Sequence, residues 1–104
     1  MTVKSDVRAR ETVKLRRKDN VIARDIAGEL LLVPIRGNMT DMQKLFVLEG
    51  IGEFVWERLD GTRTLEQIRD DVVAAFRVTA DEAWRDIEDF TGQLKAADLV
   101  AEVV

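Results

Sequence analysis

Apolar residues along this chain fall into two rhythms, the first ending near Leu48. Val21-Ile22-Ala23-Arg24-Asp25-Ile26 and Glu29-Leu30-Leu31-Leu32-Val33-Pro34-Ile35 are short apolar runs separated by Ala27-Gly28. Two such runs around a two-residue, glycine-containing break predict a β-hairpin. Pro34 has no amide hydrogen to give to a ladder, so it marks a strand end or an edge. Arg36 to Gln43 is polar, contains Gly37 and Asn38, and reads as a loop. Leu45-Phe46-Val47-Leu48 reads as a third strand, because the run is short and continuous and Gly50 and Gly52 follow at once.

After Leu48 the apolar spacing changes to three and four residues. Ile51, Phe54, Val55 and Leu59 predict a first helix over Glu49 to Asp60, with Gly61 as a left-handed stop. Its start is weak, since Gly50 and Gly52 each cost about 1 kcal/mol relative to Ala inside a helix. A second helix opens at Thr64, with Gln67 three residues on, and buries Leu65, Ile68, Val72, Val73 and Phe76. A third opens at Thr79, with Glu82 three residues on, and carries Ala83, Trp84, Ile87, Phe90, Leu94 and Ala97 on one stripe. Both openings are capping boxes, in which side chain and backbone satisfy each other's free groups. Leu99 to Val104 is left as a short apolar tail. The pattern predicts an α+β fold: a three-stranded antiparallel β-sheet followed by a three-helix, winged-helix-like bundle.

Composition narrows the chemistry. At 104 residues, 46% apolar and 35% charged, the chain has the make-up of one globular domain. No apolar run approaches the length of a membrane span, and the N-terminus lacks the apolar core of a signal peptide, so a cytoplasmic protein is expected. There is no cysteine and no histidine. Disulfides, thiolate nucleophiles and Cys-held clusters are thereby excluded, and the commonest general base and transition-metal ligand are missing. An enzyme is therefore not expected, nor any cofactor or metal.

Charge is distributed unevenly. Residues 1–18 hold seven basic side chains against two acidic ones, and the rest of the chain is strongly acidic. Residues 1–18 read as a basic, flexible N-terminal arm, with a short ordered piece near Val13 to Leu15, ahead of a domain over 19–104.

Two elements stand out as candidate binding surfaces. In the third strand Leu45 and Val47 share one face, Phe46 and Leu48 the other, and both faces are apolar. Such a strand is either buried on both sides or keeps a second face and a backbone edge for a partner. The third helix has a wide stripe, with Trp84 at one border and Phe90 and Ala97 toward the other. That width suits a core helix, and equally a helix that also walls a groove. Its acids (Asp81, Glu82, Asp86, Glu88, Asp89, with Asp98 beyond) outnumber Arg85 and Lys95. They form a solvated polar face without calcium-loop spacing, and they would repel nucleic acid. Gly50-Ile51-Gly52 lacks phosphate-loop spacing.

With this order of elements in hand, the stretch from about Leu15 to Val100 resembles the PqqD-like family. The resemblance is carried by Phe54, Val55, Trp56, Leu59, Asp60, Gly61, Thr64, Leu65, Ile68, Phe76, Ile87, Leu94 and Leu99, above all by Trp-x-x-Leu-Asp-Gly and the capped Thr64 helix. Departures are Glu49, where the family usually has an Asn-like cap, and Ala97-Asp98, where a Gly often precedes the terminal Leu-Val. The resemblance implies a non-catalytic peptide chaperone without cofactors. It would capture the leader of a ribosomally synthesised precursor peptide by strand addition and present it to a radical-SAM or other modifying enzyme. It also implies a peptide-binding set of Lys44, Leu45, Phe46, Val47 and Leu48 on the third strand and Ala80, Trp84, Ile87 and Thr91 on the third helix. A winged-helix DNA-binding regulator and a structural subunit of a larger complex are the alternatives, with homodimerisation left open.

Overall fold

The computed structural model describes residues 12–35 and 46–103. Strands β2 (Val21–Ile26) and β3 (Glu29–Pro34) form the expected hairpin, in register from Val21↔Pro34 to Ile26↔Glu29. Ala27 and Gly28 both have positive φ, 54° and 85°, as the turn favoured between right-twisted strands requires. β4 (Phe46–Leu48) pairs antiparallel with β3 through Leu30↔Leu48, Leu31↔Val47 and Leu32↔Phe46. The sheet order is β2-β3-β4. Paired residues share a face. Leu30, Leu32, Phe46 and Leu48 thus point to the core, and Leu31, Val33 and Val47 point away from it.

A second sheet went unread in the sequence. β1 (Lys14–Arg17) lies between β5 (Asp60–Thr64) and β6 (Val100–Glu102), antiparallel to both. Two expectations are corrected by it and one is extended. The short ordered piece expected near Val13 to Leu15 is a strand over Lys14–Arg17, whose Leu15 is fully buried; residues 1–11 of the arm lie outside the described residues. The helix expected to reach Asp60 stops at Arg58, and Asp60 opens a strand. The apolar tail contains a strand from Val100 to Glu102. Arg17 locks β1 onto the first helix: its Nη1 donates to the Trp56 carbonyl at 3.0 Å, and its guanidinium lies 5.7 Å from the Trp56 ring centre.

Helices α1 (Ile51–Arg58), α2 (Leu65–Phe76) and α3 (Ala80–Ala96) follow the sequence reading more closely. Gly50 begins α1 at φ 60°, so the helix starts two residues later than expected. Both capping boxes form. The Gln67 amide donates to Thr64 Oγ1 at 3.1 Å while the Thr64 amide donates to Gln67 Oε1 at 2.9 Å; Thr79 and Glu82 repeat the exchange at 3.1 and 3.0 Å. The fully buried side chains come from every layer: Leu15 on β1, Leu32 on β3, Val55 on α1, Ile68 and Val72 on α2, Ile87 and Leu94 on α3.

The Trp-x-x-Leu-Asp-Gly motif is a structural corner. Trp56 and Leu59 are buried, α1 ends at Arg58, and β5 begins at Asp60 with Gly61 at φ 84°. The Thr62 amide and hydroxyl donate to Asp60 Oδ1 at 2.9 and 2.7 Å, and Arg63 Nη1 donates to Oδ2 at 2.8 Å. These bonds, the Thr62 amide first and its hydroxyl next, hold the Asp60 carboxyl below its ordinary pKa, with the Arg63 charge adding to them.

Candidate functional site

β4 is the last strand of its sheet. One edge bonds to β3, and the other has no strand beside it among the described residues. The backbone groups on that outer edge are a template for one more strand. Of the two readings of this strand, burial on both sides is excluded. Leu48 is buried and Phe46 half-buried against the core, whereas Val47 is 54% exposed.

The α3 residues divide by depth. Ala80, the first helical residue, is exposed, and Trp84 is half-buried. Ile87 and Thr91 are buried, and the Thr91 hydroxyl donates to the Ile87 carbonyl at 2.7 Å. Their spacing places all four along one side of the helix, but only the N-terminal pair reaches the surface. Phe46 and Trp84 pack against the same buried cluster, one from the sheet and one from the helix. The Trp84 ring lies 5.9 Å from the Arg69 guanidinium of α2, so the Trp84 border of the stripe is turned toward α2. Lys44 and Leu45 lie outside the described residues.

Two features of this surface were not picked out in the sequence. One is Arg69, whose position over Trp84 depends on how α2 and α3 pack. The other is the outward face of the hairpin sheet, where Ile22, Ile26 and Val47 are exposed. Its signal was present in the unbroken apolar run from Leu30 to Val33, which supplies both faces of β3.

The surroundings limit the chemistry. α3 exposes Asp81, Glu82, Asp86 and Asp89, which does not suit a helix lying against phosphates. Among the described residues no group of acidic side chains is placed to hold a metal ion. A cleft of roughly 440 Å³ between the sheets is lined by Arg16, Lys18, Asp19, Asn20 and Ile35, and its Lys18 is already paired with Asp98 at 2.8 Å. No described helix is long and apolar enough to cross a membrane.

The sequence model of the family described as "Coenzyme PQQ synthesis protein D (PqqD)" matches residues 29–100, well over half of the chain. The chain belongs to the PqqD family. The matched span runs from the start of β3 to the start of β6, so β1 and β2 are elements that this PqqD-family chain carries ahead of it. No curated protein matches the chain. A solved structure described as "TbiB1 in Complex with the TbiA(beta) Leader Peptide" is similar, with a TM-score of 0.66 at 26% identity over 82% of this chain and 93% of that one.

Proposed function

We propose that this PqqD-family protein is a leader-peptide recognition element. It captures the leader of a ribosomally synthesised precursor peptide as an added strand on the outer edge of β4. It then presents the peptide to a modifying enzyme, a radical-SAM protein or another, in the cytoplasm, and contributes no chemistry of its own. The observation that carries this reading is the outer edge of β4, which has no strand beside it among the described residues and exposes Val47, in a fold shared with TbiB1, whose structure holds a leader peptide. Main-chain pairing supplies affinity in such a mode and side-chain pockets supply specificity.

Within this reading Phe46, Val47 and Leu48 receive the peptide, joined in the binding set by Lys44 and Leu45, which lie outside the described residues, and Ala80 and Trp84 are the helix residues that meet it. Ile87 and Thr91, both buried, would act on the peptide only through the packing of α3. Because the same edge is open to a second copy of the chain, self-pairing would compete with the leader rather than accompany it.

Leaders encoded beside the gene supply the test. Titrated into labelled protein, the cognate leader is expected to shift the amides of Phe46, Val47 and Leu48. In calorimetry Phe46→Ala and Trp84→Ala are each expected to weaken binding, by ~1.5–3 kcal/mol where a full apolar contact is lost. Parental affinity in both variants, with both still folded, would overturn the site.

A further inference from the structure

We propose that the peptide segment held on β4 is apolar on both of its faces, and that Val47 reads the residue pointing away from the core. This rests on the strand-addition reading above and extends it to the face of the sheet that a groove against α3 leaves out.

Side chains alternate along a strand, and cross-strand partners share a face. The peptide residues opposite Phe46 and Leu48 therefore lie on the core face, and the residue between them lies on the outer face beside Val47. On a one-sided antiparallel sheet that outer face is normally polar. Here it carries Ile22, Ile26, Leu31, Val33 and Val47. The charges on this face are Arg24 on β2 and Glu29 at the start of β3, with exposed Glu49 just past the end of β4; the row through Val47 itself reads Arg24 on β2, Leu31 on β3 and Val47 on β4. The row thus ends in exposed apolar surface where the next strand would begin.

A single added strand covers about 4.8 Å of sheet. That reaches the open flank of Val47 and stops short of the β2 isoleucines. The occupant that fits this position is one outward side chain of the bound peptide, and an apolar one shields Val47. The expected recognition unit is three consecutive apolar residues, the outer two facing the core and the central one facing out. A groove-only site would instead accept a polar residue at the centre.

Phage-displayed random 12-mers, panned on the full chain, provide the probe. Binders that shift the amides of Phe46 to Leu48 are expected to carry three apolar residues in a row. Replacing the central one by Thr is expected to weaken binding about two- to five-fold, the range of a cross-strand pair. The same replacement is expected to cost nothing against Val47→Thr, a surface change that keeps β-propensity; circular dichroism checks that it folds. Binders that reach β4 with an alternating pattern, or a central Thr tolerated equally by parent and variant, overturn the proposal and leave leader capture standing. Selected peptides that shift none of the β4 amides overturn strand addition itself, and this inference with it.

Discussion

At Gly61 the backbone sits at φ 84°, and a Cβ added there would stand 3.2 Å from Val103 Cγ2 and 3.4 Å from Arg16 Cβ. Two costs coincide: a left-handed conformation that L side chains resist, and contact with the strands flanking the corner. Gly61→Ala is expected to lower stability by ~1–3 kcal/mol, read from the urea unfolding midpoint. The neighbouring Asp60 makes a pH prediction. Its folded pKa lies below its unfolded one, so its contribution is present above the unfolded value and disappears as pH falls through the folded one. The stability gap between the parent and Asp60→Asn is therefore expected to be widest at neutral pH and to close on acidification through the carboxylate range. Denaturant midpoints measured across that range check it. At this scale the sequence was informative where the physics is local: both capping boxes form as read. Gly61 was recognised as a stop, but it turns the chain into a strand, because Asp60 closes on Thr62 and Arg63 rather than on the helix.

The elements that could be read in advance are those whose pattern is self-contained. The β2–β3 hairpin announces its own turn, and α2 and α3 announce their own caps. The unread sheet has neither advantage. Its strands are the four residues Lys14–Arg17, the five residues Asp60–Thr64 and the three residues Val100–Glu102, two of them mostly polar. Their pairing joins opposite ends of the chain, as at Leu15↔Glu102. One sign was available: Leu15 is a lone large apolar residue beside a run of basic ones, and it is fully buried. Leu15→Ala is expected to cost ~2–5 kcal/mol, the range for a buried leucine truncated in a core that cannot fully collapse, although the residue lies outside the span that matches the family. Thermal unfolding of the variant measures this; a loss below ~0.5 kcal/mol, typical of a surface change, would remove β1 from the cooperative core. The candidate site was legible to the same depth. An apolar strand with two apolar faces could be seen, but its register with β3 was needed to show that Val47 points outward. Helical spacing grouped Ala80, Trp84, Ile87 and Thr91, but only packing shows that the last two are buried.

At the scale of the molecule, one sheet ends at β4 among the described residues, and the core joins both sheets to all three helices. A domain of this size keeps a modest margin of stability, so a ligand that binds only the folded state changes that margin substantially. At a hundred-fold excess over its Kd, a bound leader adds about 2.7 kcal/mol. For a domain near 100 residues that corresponds to a rise in Tm of roughly 10–20 °C, given about 4–8 °C per kcal/mol. The rise alone would not locate the leader, because cooperative unfolding spreads the gain over the entire core. Local openings do locate it. A strand added to β4 turns an edge strand into an interior one, so amides of β4 and its partner β3 are expected to gain hydrogen-exchange protection beyond the global increment. Amides of β5, β1 and β6 are expected to gain only that increment, since their sheet receives no new partner. If the excess protection appeared instead around Lys18 to Asn20, the peptide would be occupying the cleft between the sheets and β4 would not be the receiving strand.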